Sequence, residues 1–309
     1  MPTRRGFITG TLAAGAVLAA QGSQKAAAQA DRRMIVDAQV HLWKAETPDW
    51  KWVPGRQPQL PEPFTIERLI PMMDEAGVDR AVIVPPSWPG DRNDYAIEAV
   101  KRYPNRFRIM GRIPLQDPKS AELLPKWKEQ PGMVGVRLTF NNDQTIPWLS
   151  DGTADWFWPA AEKAGLPVMC FTPGISAKLA PIAEKHPRLP LILDHMGVSA
   201  ALLKENKLDD ALAQTVALAK YPNVSVKLSA SPGISREPYP FRDVAGHIKR
   251  VFDAYGPQRS YWGTDLTNSY AKASYRQRVS HFTEELSFLS DSDKDWVMGR
   301  AITQRLGWT

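Results

Sequence analysis

Cysteine is almost missing from this chain of 309 residues: Cys170 stands alone, so no internal disulfide forms and no thiolate zinc site can be assembled. A membrane-crossing run is missing too. The weakly apolar stretch at 11–20 is half the roughly 20 residues that a spanning helix needs. A strong excess of one charge is missing as well: 39 Lys and Arg against 33 Asp and Glu leave a formal net charge of +6, with no basic run and no basic–aromatic interleaving, which argues against nucleic acid as a partner. No internal repeat, low-complexity tract or second domain is visible. With 43% hydrophobic residues the chain can bury a large core, and disorder is not indicated.

What is present begins with an export signal. Thr3-Arg4-Arg5-Gly6-Phe7-Ile8, the apolar stretch 11–20 and Ala28-Gln29-Ala30 combine paired arginines, a modest apolar segment and a small-x-small cleavage site. This reads as a cleaved twin-arginine signal over residues 1–30, with a mature periplasmic chain starting at Asp31 and no membrane association after cleavage. Cleavage removes Arg4, Arg5 and Lys25 and no acid, lowering the charge from +6 to +3. A small anionic substrate suits that balance.

Residues 34–43 organise the remainder. Met34 to Asp37 form a buried-type run, and strict alternation from there puts Asp37, Gln39 and His41 on one face of a strand. A loop with Trp50, Trp52 and five prolines follows at 44–63; its length and composition suit a lid or pocket wall, to which Trp43 and Trp88 would add packing. Strands and helices then alternate. Strands are expected at 79–85, 107–115, 134–140, 167–172, 189–195, 224–229 and 260–265. Helices are expected at 66–76, 94–103, 119–129, 154–164, 177–185, 208–220, 247–255, 275–289 and 295–306.

Eight strands fit a closed (β/α)8 barrel or an open doubly wound sheet. His41, Arg137, His195, Lys227 and Asp265 all fall toward the C-terminal end of a strand, where barrel enzymes keep their chemistry. Only in a barrel does strand one lie beside strand eight, bringing His41 to Asp265. A single-domain TIM barrel over 31–309 is therefore the expected fold.

The motifs Asp37-Ala-Gln-Val-His41, Leu193-Asp194-His195-Met-Gly197 and Trp262-Gly263-Thr264-Asp265 resemble those of the amidohydrolase-related superfamily. The branch most similar to them contains 2-pyrone-4,6-dicarboxylate lactonase and sugar-acid lactonases. Metal-dependent members of the superfamily use two strand-one histidines, usually one on strand five, and the strand-eight aspartate. Here Gln39 replaces the first histidine, and strand five offers Met169-Cys170-Phe171. A neutral amide is a poor ligand for a transition metal. If a single zinc or manganese ion binds, His41, His195 and Asp265 are its ligands; the resemblance implies that none is obligatory.

The expected activity is hydrolysis of a lactone of an organic or sugar acid. Asp265 would take a proton from water, and His41 and His195 would stabilise the developing oxyanion. Gln39 would supply an amide hydrogen bond. Arg137, whose structural alternative is an ion pair with a core acid such as Asp37, would clamp the substrate's acid group with Lys227 or Arg236, and Ser87 would donate a hydrogen bond. Arg236 is carried over from the resemblance. His186, His247 and His281 are assigned no chemistry. The rival readings are a metal-dependent decarboxylase or amide hydrolase, and a non-catalytic periplasmic binding protein.

Overall fold

Eight parallel strands run in sequence order around the molecule: β1 (Val36–Val40), β2 (Arg80–Ile83), β3 (Phe107–Gly111), β4 (Met133–Thr139), β5 (Val168–Phe171), β6 (Leu191–Leu193), β7 (Val224–Ser229) and β8 (Ser260–Gly263). The structure is a computed structural model describing residues 32–308; the expected signal over 1–30 lies outside the described residues. β8 returns to β1. Asp265 N–H donates to Gln39 O at 3.1 Å, and a Cβ added to Gly263 would press on Ala38 and the Gln39 backbone at 3.3 Å, so glycine eases this approach. The sheet is thus a nearly closed (β/α)8 barrel, as the strand pattern led one to expect.

Helices α1 (Ile66–Ala76), α2 (Asp94–Arg102), α3 (Phe157–Lys163), α4 (Ala180–Lys185), α5 (Ala200–Lys204), α6 (Leu208–Ala217), α7 (Arg242–Tyr255), α8 (Tyr275–Ser280), α9 (Asp291–Asp295) and α10 (Ala301–Leu306) connect or follow the strands. α1 shows local sequence and packing agreeing: Thr65 accepts from Arg68 N–H at its start, Gly77 ends it at φ +73°, and Ile66, Leu69 and Met73 bury one face. Where expectation and structure differ, the cause is local. Pro125 lets 118–129 form only a 3-10 helix. The last two expected helices are each broken by a π-helical turn, at His281–Glu285 and Trp296–Arg300. α7 starts five residues earlier than expected, so His247 lies inside it rather than beginning it.

The barrel interior is filled by Val36, Ala38, Val82, Val84, Met110, Met169, Ile192 and Tyr261. α10 and Trp308 join that cluster and plug the end where the strands begin, with Arg80 and Arg108 stacked on the Trp308 ring. The opposite end, at the strand C-termini, remains for chemistry.

Candidate active site

A bulge in β1 sets up the site. Val36 and Asp37 pair with Arg80 and Ala81, but Val40 pairs with Ile83, so β1 holds one residue more than β2 between those points. The expected alternation is broken there. Asp37 does not share a face with Gln39 and His41: it accepts from Thr264 N–H at 2.8 Å, from Thr264 Oγ1 at 2.5 Å and from Tyr275 OH at 2.8 Å. Its task is to tie β1 to the β8 end. Burial, the largest influence on it, raises its pKa above the ordinary carboxylate value. Gln39 and His41 are thereby re-aimed into the mouth.

At the other strand ends the backbone is forced into the left-handed region. Asp265 has φ +48°, His195 φ +53° and Met196 φ +56°. His195 therefore sits in a tight turn just past β6, not on the strand. Gly197 completes that turn at φ +69°, where a Cβ would collide with Ser176 and Thr215. These turns fold His195 and Asp265 back over the barrel axis.

The side chains converge. His41 Nε2 is 3.0 Å from Asp265 Oδ1, and His195 Nε2 is 3.5 Å from Asp265 Oδ2. His41 Nδ1 faces Val84 O at 2.6 Å, an atom that only accepts, so that nitrogen carries a proton. His195 Nδ1 meets Ser229 Oγ at 2.7 Å. Lys227 Nζ lies 2.6 Å from Gln39 Oε1 and 2.8 Å from Asp194 Oδ1. Since an ammonium only donates, it fixes the Gln39 oxygen on its side and turns the amide NH2 toward both imidazoles, 3.3 Å from each Nε2.

Burial would raise the pKa of Asp265, but His195 and His41 outweigh it and hold the carboxyl well below the usual range. Burial also works against the Asp194 carboxylate and is overcome by Lys227 and Arg137, leaving it lowered. For His195 and Lys227 burial dominates and pushes both below their ordinary values, against the nearby aspartates. Asp265 and Asp194 are thus anions at neutral pH, and His195 is neutral there.

The structure brings together Gln39, His41, Arg137, His195, Lys227 and Asp265. Arg137 pairs with Asp194 (Nε to Oδ2, 3.2 Å), not with Asp37, and its Nη1 donates to Thr139 Oγ1. Lys227 is fully buried and spent on Asp194 and Gln39, so it positions the amide instead of gripping a substrate acid. Arg236 is turned away: its Nη2 donates to Leu203 O and Asn206 Oδ1. Ser87 occupies the turn after β2, where its carbonyl accepts from Arg56 and Gly90, and no hydrogen bond joins its hydroxyl to the cluster among the described residues. Sequence reasoning passed over Ser229 and Phe171. The polar alternation Ser225, Lys227, Ser229 along β7 was a readable signal for the first. Phe171 lies under the Arg137 guanidinium and edge-on to His195, and nothing in the sequence marked it.

Three nitrogen and oxygen ligands suffice for a catalytic zinc. Here, however, the point shared by His41, His195 and Asp265 is faced by an amide NH2, a donor that cannot ligate, and the amide is locked by a buried ammonium. This arrangement does not fit a divalent ion.

Fold and site together define a hydrolase built on a (β/α)8 barrel. The chain belongs to the amidohydrolase family, whose model matches residues 36–303. It is 24% identical over 237 residues to L-fucono-1,5-lactonase of Burkholderia ambifaria, covering 74% of this chain and 79% of that one. It is 26% identical over 226 residues to 4-sulfomuconolactone hydrolase of Hydrogenophaga intermedia, covering 68% and 67%. Among solved structures, a probable 2-pyrone-4,6-dicarboxylic acid hydrolase from Acinetobacter baumannii with citric acid bound superposes with TM-score 0.72 at 20% identity, over 88% of this chain and 99% of that chain.

Proposed function

We propose that this protein hydrolyses a lactone of an organic or sugar acid, without an obligatory metal, in the periplasm after twin-arginine export. The observation that carries the reading is the convergence of His41, His195 and the Gln39 amide on the Asp265 carboxylate at the C-terminal mouth of the barrel. The lactonase names of two relatives support the choice of ester.

In this reading a water bound to Asp265 attacks the lactone carbonyl. An aspartate held so far down is a weak base at rest; it takes the proton late, once bond formation has made the water acidic. The negative charge developing on the carbonyl oxygen is met by the Gln39 NH2, by His195 with Nδ1 accepting from Ser229 and its proton on Nε2, and by His41 when Nε2 as well as Nδ1 carries a proton. Collapse breaks the ring C–O bond, and the ring oxygen takes the proton held by Asp265 and leaves as the hydroxyl of the hydroxy acid, restoring the Asp265 carboxylate. Lys227 keeps Gln39 in register throughout.

The test is a pH-indicator assay over a panel of lactones, run with metal analysis of the exported protein. Proton release that survives chelator within about twofold is expected. Loss of activity with chelator, together with one divalent ion per chain, would replace this reading by metal-dependent decarboxylation or amide hydrolysis. Ligand binding with no product would make the protein a binding protein.

The pH profile follows from His195. Its pKa is pushed below the ordinary histidine value by burial, so it is neutral at pH 7 and gains a proton only as the pH falls through that lowered value. A proton on His195 puts a cation 3.5 Å from Asp265 and weakens that carboxylate further as a base, so the acid limb of kcat/KM should lie below pH ~6.5, the unperturbed value, and should vanish in His195→Gln. An acid limb unchanged in that variant assigns it to another group.

A further inference from the structure

The donors left over at the mouth point to what the substrate carries. Gly111 pairs with Val136, so the next step places Arg112 opposite Arg137 on neighbouring strands. Met110 belongs to the interior cluster, and a Cβ on Gly111 would meet Trp127 and Asn93 outside, so alternation turns Arg112 inward with Arg137. Asn93 pins the Arg112 backbone from both sides: its Nδ2 donates to Arg112 O, and its Oδ1 accepts from Arg112 N–H.

Arg112 has one acid partner, Asp91 Oδ1, at 3.2 Å from Nε, while its Nη1 is buried with no partner. Arg137 uses Nε and Nη1, leaving Nη2 without a protein partner among the described residues. Asp91, Asp194 and Asp265 balance the charges of Arg112, Arg137 and Lys227, but one guanidinium nitrogen on each arginine, Arg112 Nη1 and Arg137 Nη2, is left without a protein acceptor among the described residues. A buried guanidinium N–H without an acceptor is costly unless a ligand oxygen completes it.

The neighbourhood repeats the message. In the loops between each of β1, β2 and β3 and the helical segment after it, the side-chain polar atoms buried without partner among the described residues are Trp43, Trp52 and Trp88 Nε1 and Arg112 Nη1. All four only donate. Trp43 and Trp88 meet edge to face at 5.0 Å, and Arg56 from the 44–63 loop reaches Ser87 O beside them. Spare buried donors in these loops suit a ligand rich in acceptors.

We propose that Arg112 is a specificity-determining residue: with Arg137 it forms a two-guanidinium subsite, on the β3–β4 side of the mouth, for an oxyanion carried by the lactone. The proposal rests on the lactone-hydrolase reading and narrows it to acid-bearing lactones over uncharged aldonolactones. Planar guanidinium forks hold carboxylate or sulfonate oxygens by paired charge-assisted hydrogen bonds.

Two measurements test it. In the first, kcat/KM is compared for an acid-bearing and an uncharged lactone in wild type, Arg112→Met and Arg112→Lys. The acid-over-uncharged ratio should fall about 10- to 100-fold in Arg112→Met, mainly through KM, with partial recovery in Arg112→Lys. Equal losses on both lactones overturn the assignment, because they signal a structural role. The second is calorimetric titration with isophthalate, a planar dicarboxylate that is not turned over. Binding weakened at least tenfold in Arg112→Met supports the subsite even if no panel lactone is hydrolysed; unchanged binding, or none in wild type, rejects it.

Discussion

Asp265→Asn should lower kcat by about a thousandfold, the usual weight of a positioned proton acceptor, while Tm changes little. The reasoning is both geometric and electrostatic. Asn matches Asp in shape and is among the residues that tolerate the left-handed backbone required at φ +48°, so the turn after β8 should survive. What goes is the charge. His41 loses the carboxylate 3.0 Å from its Nε2, His195 loses the one at 3.5 Å, and the attacking water loses its proton acceptor. Circular dichroism and thermal melting would verify the fold, and initial rates on the best panel lactone would give the loss. A variant that keeps more than about a tenth of the wild-type rate would remove Asp265 from the chemistry.

The second large effect is on stability. Asp194 is a buried carboxylate answering two buried cations, Lys227 at 2.8 Å and Arg137 at 3.2 Å. Asp194→Ala would strand both, and removing one member of a buried charge network typically costs about 3–5 kcal/mol. For a chain of this size that corresponds to a Tm lower by roughly 10 °C. Pairing the change with Lys227→Met takes away one of the stranded charges and should restore part of the loss. A double variant no more stable than Asp194→Ala alone would show that the Lys227 charge is not what destabilises the single variant. The same network reaches the chemistry, because Lys227 freed from Asp194 no longer fixes the orientation of the Gln39 amide.

Asp37 shows how far alternation can be trusted. Read with period two, it shares a face with Gln39 and His41; one extra residue in β1 sends it to Thr264 and Tyr275 on the far side. Bulges leave no mark in a single sequence, since they arise from how two strands pair. Arg137 was legible as a buried guanidinium needing an anion, but its partner, Asp194, lies 57 residues on and became evident only when β4 and the turn after β6 came together. Lys227 was legible as a charge in an apolar strand, yet its use as the clamp on Gln39 was not. The loops hid most. Arg236 and Ser87 looked like substrate groups and are turned to Asn206 and to the β2 turn, while Arg112, one residue past β3, carried no flag at all.

The sequence by itself determined the number of strands, their order and the barrel, because hydrophobic period and strand-ending polar residues are local properties of the chain. It also put His41, His195 and Asp265 at the strand C-terminal end of that barrel, where the structure brings them together. Tertiary structure decided which way those side chains face and what each charge is paired with. Facing depends on bulges and left-handed turns, and pairing depends on residues up to 226 positions apart meeting at one mouth; neither is written in any short stretch of the chain.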